Sequence, residues 1–324
     1  MRGILCTQWG KPEALELADL PTVSPGPGEV RLKVEASGVN FADLLTIAGR
    51  YQENPPLPFV PGFEVAGTID AVGADVRGWQ RGDRVMGMLP HGGYAEAAVL
   101  SADQVFTVPE SLTMAQAAGF PVAYGTAYGA LAWRARLLPA ERVLVFGAAG
   151  GVGLAAVSIA RILGGEVIAV ASGSERLDHA ARHGAVHTID RERDDVATRV
   201  LEITHGRGVD IVLDPVGGDA FDTALRCLAS EGRLVVVGFA SGTVGTLSAG
   251  VALGKNIDLI GCYWGAYRDR DADRVRRAYA ELGRWADAGK LNPHVGRCLP
   301  LAEARQALAL LQDRAVAGKI VLTP

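Results

Sequence analysis

Residues 146–160 read FGAAGGVGLAAVSIA and directly follow the apolar run RVLV at 142–145. A dinucleotide site asks three things of such a stretch. It needs a tight turn, a position where backbone can approach a pyrophosphate with no Cβ in the way, and close packing of the next helix, whose N-terminus holds the phosphates. Gly150 and Gly153 fill the second and third needs, Ala148 stands where a first glycine is usual, and Gly151 and Val152 complete the helix start. A lone glycine pattern is weak, but one set between a strand and a helix inside a βα array is strong.

The array continues downstream. Apolar runs EVIAVA (166–171), AVHTI (185–189), VDIVLD (209–214), RLVVVGF (233–239) and IDLIG (257–261) are spaced by stretches long enough for crossover helices. With 142–147 they predict a six-stranded doubly wound parallel sheet. An NAD site carries Asp or Glu at the end of its second strand, where the acid accepts from the ribose hydroxyls and repels a 2'-phosphate. Here that strand runs into Ala171-Ser172-Gly173-Ser174 and then Glu175-Arg176, with no acid in the slot. Ser172, Ser174 and the Arg176 guanidinium read as a phosphate site and predict NADPH; the plainer alternative makes Arg176 a solvated helix residue. Beyond 265 come two amphipathic helical patterns, RDADRVRRAYAELGRWADAGK and LAEARQALALLQ, and a last strand, KIVLT.

Upstream the pattern changes. In the first 120 residues, PTVSPGPGEV, ENPPLPFVPG and the glycines of VGADVRGWQRGDRV separate short β-rich runs such as EVRLKVEASGV and EVAGTIDAV, which suits a barrel-like β domain. The 324 residues suffice for two domains. A formal net charge of -4 with both signs dispersed removes the electrostatic case for a nucleic-acid binder. The N-terminal apolar run is too short for a signal peptide and no run would span a bilayer, so a cytoplasmic protein is expected. Cys6, Cys227, Cys262 and Cys298 form no CxxC pair and read as small buried side chains.

Taken in order, PGPGEVRLKVEASGVNFADLLTIAGRY, PFVPGFEVAGTIDAVG, GDRVMGM, GGYAEAAVL, GTAYGAL, ERVLVFGAAGGVG, GVDIVLDPVGG, GRLVVVGFASG and GKIVLTP resemble the blocks of the medium-chain dehydrogenase/reductase superfamily, in its zinc-independent NADPH:quinone oxidoreductase (zeta-crystallin-like) branch. The resemblance covers essentially the whole chain. It implies an α/β protein in which a GroES-like β-rich catalytic domain (1–122 with 266–324) is completed by the tail, with a Rossmann NADPH domain (123–265) inserted. Zinc-dependent relatives have a Cys and a His-Glu pair where this chain has Val39-Asn40-Phe41-Ala42-Asp43 and Pro61-Gly62-Phe63-Glu64, and the four-cysteine lobe is absent, so no metal is expected.

By the same resemblance, Asn40, Asp43 and Tyr51 match polar residues lining the substrate cleft near the nicotinamide, with Asn40 on the cofactor side as well. Thr126 lies in a block beside the cofactor, and Gly238, Phe239 and Ala240 end a strand at the nicotinamide. Arg176 and Arg314 match basic residues around the 2'-phosphate and adenosine; Arg191 stands where Tyr is common, as a possible further phosphate contact. For the chemistry, Tyr51 and Asn40 are the candidate donors to the acceptor oxygen, with Tyr51 the better proton relay. Each also has a plain reading, Tyr51 as a rim residue, Asn40 as a turn residue and Asp43 as a helix-start charge. His91 reads as a solvated loop residue, and Tyr263 and Trp264 as either cleft wall or packing. The expected activity is hydride transfer from NADPH to a quinone. The alternatives are reduction of an enoyl-thioester or alkenal double bond, with Tyr51 as proton donor, and a non-catalytic, crystallin-like NADPH-binding role. A homodimer is expected through the sheet edge formed by TLSAGVALGKNIDLIG.

Overall fold

The computed structural model describes all 324 residues. They form two compact units, Met1–Val122 with Gly265–Pro324, and Ala123–Trp264.

In the first unit, the long strand Glu29–Val39 alternates as period two requires: Val30, Leu32 and Val34 are buried, while Lys33 and Glu35 are exposed. It pairs antiparallel with Glu64–Val72 and with Ala97–Ser101, and Glu64–Val72 continues through Arg84–Met88 to Val105–Thr107. The tail closes this sheet. Lys319–Thr323 pairs antiparallel with the end of Glu29–Val39 and parallel with Val295–Pro300, giving seven strands. A separate hairpin pairs Arg2–Cys6 with Leu15–Asp19. Helix Phe41–Ile47 starts where Glu29–Val39 stops, capped reciprocally by Asn40 and Asp43. The tail helix Ala272–Asp287 is capped by Asp271, whose carboxylate accepts from the Arg274 N–H.

The second unit is a six-stranded, wholly parallel sheet in the order His187–Asp190, Glu166–Ala171, Arg142–Val145, Val209–Asp214, Leu228–Val236, Asp258–Gly261. The α/β class and the doubly wound sheet agree with the sequence reading. Buried on both faces, its central strands are continuous apolar runs, and their core unites Leu144, Ile168, Val170, Val212 and Leu234 with Phe221 and Val200 of the crossover helices. Leu228–Val236 begins five residues before the expected run. Glu231 takes φ 63° there, beside a register irregularity, so the strand is bulged and its early part lacks the clean apolar pattern. The strand order reverses between the parallel neighbours Arg142–Val145 and Val209–Asp214, the switch point outside whose carboxyl ends ligands bind in such sheets. No helix of the protein is long and apolar enough to cross a membrane. Cys6, Cys227 and Cys262 are buried as expected; Cys298 departs from that reading and is exposed, on the outermost strand of the first sheet.

Candidate active site

The glycine loop is built as a phosphate cradle. Gly147 takes φ 58°, the Gly150 N–H donates to Gly147 O to close the turn, and helix Gly151–Ile162 starts at once with Gly150 as a cap that has no side chain to offer. The first backbone N–H groups of that helix, at Gly151, Val152 and Gly153, therefore lack the side-chain acceptor that usually satisfies a helix start, and suit an anion. Gly153 is required by packing, since a Cβ there would collide with Gly147 O and lie 2.7 Å from Ala148 Cα. Gly150 is not so constrained: the nearest atom to its Cβ is Gly147 O at 3.4 Å, so the protein itself leaves the space open. One assignment is corrected. The tight turn belongs to Gly147, whose positive φ does the turning; Ala148 is fully buried and its N–H is spent on Val170 O, so it is a packing residue and not a phosphate contact.

At the end of Glu166–Ala171, Ser172 and Arg191 come together, the Arg191 Nε donating to Ser172 Oγ at 2.7 Å and the Arg191 N–H to Ala171 O. Gly173, at φ 78°, has open space where a side chain would stand and starts helix Ser174–His183, with Ser174 exposed and Arg176 half-buried in its first turn. An acid that the sequence reading passed over lies underneath. Asp190 Oδ1 accepts from Glu192 N–H and Gly173 N–H; these bonds, with Arg193 and Arg191, hold its carboxyl below the usual range. It ties together the two loops that carry Ser172 and Arg191. Its signal was its place as the last residue of a strand.

The next pair of strand ends is stitched likewise. Asp214 is fully buried, its Oδ1 accepts from Val216 and Gly217 N–H, and its Oδ2 has no partner; burial pushes its carboxyl up. Val237 N–H donates to Asp214 O and Ala240 N–H to Pro215 O, so the Gly238-Phe239-Ala240 turn lies on the 214–217 loop. Thr126 is buried on helix Pro121–Tyr128. Trp264 packs: it is 4% exposed, lies tilted against Trp133 with ring centroids 5.4 Å apart, and fills the space that side chains at Gly125 and Gly129 would need. Its neighbour Tyr263 is half-buried.

In the first unit, two of the three residues expected at the substrate, Asn40 and Asp43, lie in a buried polar cluster that the sequence reading missed in part, while Tyr51 stands apart from it. Lys319 Nζ donates to Val39 O (2.9 Å), Asn40 Oδ1 (2.8 Å) and Glu64 Oε1 (2.7 Å). Asn40 Nδ2 donates to Glu64 Oε1 at 2.9 Å and to Gly38 O at 3.3 Å, and Glu64 Oε2 accepts from Val122 N–H. Asp43 is sealed, its Oδ2 accepting from Asn40 N–H and the Tyr94 hydroxyl and its Oδ1 from Gly62 N–H. Burial pushes its carboxyl up to about 7 against the pull of Tyr94, the Asn40 N–H and Lys319. Asp43 is thus corrected from catalyst to helix cap and loop anchor, because it has no exposure and its lone pairs face inward. Asn40 is likewise not a loose donor, since both amide hydrogens already have acceptors. Glu64 was visible in the sequence only as the acid of the Pro61-Gly62-Phe63-Glu64 block and Lys319 only as a single charge before an apolar strand.

Tyr51 is half-buried and stands edge-on to Phe63, with ring centroids 5.2 Å apart. Its loop is anchored by Asn54, which donates to Tyr51 O, and by the Glu53–Arg268 pair at 3.0 Å. His91 is exposed as a residue, but its ring stands edge-on to Phe59 with centroids 6.2 Å apart, and burial with the nearby Arg268 holds its imidazole below the usual range. Arg314 is exposed at the end of helix Ala304–Gln312, with φ 53°. No group of three or more His, Cys, Asp or Glu side chains is placed to hold a metal ion. Phe63 fills the slot of an expected histidine, and Glu64 is committed to Lys319, Asn40 and Val122, so these residues do not fit a catalytic zinc.

Residues 26–110 match the model of the alcohol dehydrogenase GroES-like domain, and residues 151–281 that of the zinc-binding dehydrogenase domain. The chain is 38% identical over 323 residues to a quinone oxidoreductase-like protein 2 homolog of Nematostella vectensis, covering 99% of this chain and 88% of that protein. It is 36% identical over 318 residues to a quinone oxidoreductase of Pseudomonas aeruginosa, covering 98% of this chain and 97% of the other. Among solved structures, the quinone oxidoreductase of Escherichia coli complexed with NADPH superposes with a TM-score of 0.94 at 29% identity, covering the whole of both chains.

Proposed function

Since this chain belongs to the zinc-independent quinone oxidoreductase branch of the medium-chain dehydrogenase/reductase superfamily, we propose that it is an NADPH-dependent reductase that transfers hydride to a quinone without a metal. The observation that carries the cofactor reading is the cradle at the carboxyl edge of the parallel sheet. The uncapped start of Gly151–Ile162 suits the pyrophosphate, and the Ser172–Arg191 pair, with Ser174 and Arg176 nearby in sequence, suits the 2'-phosphate. Thr126, Gly238, Phe239 and Ala240 would meet the nicotinamide end. When bound, NADPH supplies a hydride, two electrons with one hydrogen nucleus; the acceptor gains that hydride and one proton, giving the hydroquinone.

This chain's own task is to bind, orient and protonate. Tyr51, with its ring set by Phe63, offers a hydroxyl that donates to the developing oxyanion or relays the proton. A second reading, reduction of an enoyl thioester, rests on the same residue, because a positioned tyrosine can protonate the carbon beside the carbonyl after hydride addition. The test is NADPH oxidation by the purified protein with an ortho-quinone and a 2-enoyl thioester in parallel, for wild type and Tyr51→Phe. Faster quinone turnover, reduced less than tenfold in the variant, fits the leading reading. Faster thioester turnover with a loss of about 10²-fold or more makes Tyr51 the proton donor. NADPH binding without turnover of either acceptor leaves a binding role.

We also propose a homodimer built on the free edge of the six-stranded sheet. Strand Asp258–Gly261 has a partner on one side alone, and helix Ala249–Lys255 before it buries none of its residues. Leu253 at 79%, Val244 at 66% and Leu259 at 49% exposure are costly on an isolated chain and natural at an interface. A cytoplasmic setting suits the four free thiols.

A further inference from the structure

We propose that Lys319 is a positioning residue for acceptor reduction: through the Asn40 amide it sharpens the hydrogen bond that polarises the acceptor oxygen. The proposal rests on the reading of this chain as a hydride-transferring reductase.

A buried ion pair is poor evidence of a stabilising device, since well-packed apolar residues commonly serve as well or better. The Lys319–Glu64 pair nevertheless has room built for it. A side chain at Gly38 would strike Glu64 Oε1 and lie 2.5 Å from Ala118 O, and one at Gly119 would meet Lys319 Cγ at 3.0 Å. What the pair accomplishes is to fix one amide. The ammonium takes Asn40 Oδ1 and the carboxylate takes one hydrogen of Nδ2, so exchanging the amide's ends would set donor against donor and acceptor against acceptor. The remaining Nδ2 hydrogen goes to Gly38 O at 3.3 Å, the longest bond of the cluster. It is the hydrogen an acceptor oxygen can most readily take over.

The cation matters electronically as well as sterically. An ammonium bonded to the amide oxygen draws electron density from the nitrogen, and bonds linked in this way strengthen one another in a dry interior. Asn40 is 7% exposed and Glu64 fully buried, so water screens the chain of contacts little. No covalent step is involved.

Polarisation helps a weak electrophile more than a strong one, and this separates it from a structural role. In Lys319→Met/Glu64→Gln, both charges go together, so no unpaired carboxylate is left buried. The expected result is a loss in kcat of about tenfold or more with the 2-enoyl thioester, smaller than the loss of a direct oxyanion donor, and under threefold with the ortho-quinone. The NADPH dissociation constant, measured by titration, stays within twofold because the phosphate cradle at the start of Gly151–Ile162 and at Ser172–Arg191 uses neither Lys319 nor Glu64. Adding Asn40→Ala to that variant should cost no more than Asn40→Ala alone. Equal loss with both acceptors, or additive losses with Asn40→Ala, would overturn the proposal. Should the charge variant fail to fold, Asn40→Ala alone, which leaves the ion pair in place, must show the same acceptor selectivity; uniform loss again overturns it. A wild-type protein that binds NADPH yet reduces neither acceptor would remove the reductase reading itself, a result distinct from equal losses in an active enzyme.

Discussion

Two glycines three residues apart in one loop should respond to alanine in opposite ways. At Gly153 the added Cβ meets backbone on every nearby side, with Gly147 O inside contact distance, Ala148 Cα at 2.7 Å and Gly147 C at 2.8 Å. Backbone cannot swing aside as a side chain can, so the helix must move off the turn. That places the cost in the overpacking range, about 1–3 kcal/mol, or roughly 3–10 °C in Tm for a unit of this size. At Gly150 the backbone is extended, φ -79° and ψ 173°, a conformation open to alanine, and the nearest neighbour is an ordinary 3.4 Å away. Stability should change by no more than about 0.5 kcal/mol, a small gain in unfolded-state entropy offsetting a slightly poorer cap. The methyl group, however, occupies the space into which a pyrophosphate must come. Losing one charge-assisted backbone contact costs about 1.5–3 kcal/mol, or about 10- to 150-fold in the NADPH dissociation constant. Fluorescence titration with NADPH and a thermal melt without cofactor, run on both variants, read the two effects apart. If Gly150→Ala melts as early as Gly153→Ala and binds NADPH as tightly as wild type, the loop is a structural turn and not a phosphate cradle.

Three further outcomes are expected. Arg191→Ala, which removes the guanidinium on Ser172 Oγ, should weaken NADPH binding by about tenfold or more while leaving NADH within about twofold, since the charge-assisted bond to phosphate is what is lost; equal weakening of both would assign Arg191 to the fold. Asp43 is carried from an ordinary value of 3.8 to about 7 by burial, so between about pH 4 and pH 7 the native state holds a proton that the unfolded chain has released. Stability should therefore fall as pH rises through that window, by up to about 4 kcal/mol, and level off above it; urea midpoints across the window should show this limb in wild type and lose it in Asp43→Asn. Light scattering should give twice the chain mass, and Leu253→Asp with Leu259→Lys should shift the protein to monomer, whereas a wild-type monomer refutes the sheet-edge interface.

Periodicity and spacing were sufficient for most of the architecture, because both are local. A buried parallel strand must be apolar throughout, and a crossover must contain enough residues to return, so the six runs from 142 to 261 could be counted before any contact was known. The glycine loop was legible for the same reason, since 146–153 carries its own turn and helix start. Even so, the turn lies at Gly147 and not at Ala148, the position the spacing puts in the first-glycine slot: φ at Gly147 depends on where the next strand holds Ala148, and that bond to Val170 O is a tertiary fact. Ser172 was readable as a strand-end hydroxyl, but its pairing with Arg191 was settled only when the neighbouring strands His187–Asp190 and Glu166–Ala171 aligned. The polar cluster lay furthest from view. Lys319 and Asn40 are separated by 279 positions, and Lys319 and Glu64 by 255. No local pattern reports that a tail strand will lie along Glu29–Val39 and carry an ammonium onto a carboxylate. Sequence alone determined which segments would be buried and where backbone would be free to meet a phosphate; the tertiary structure decided which buried charges would face each other, because a charge enters a dry interior only where a partner from another strand is already waiting.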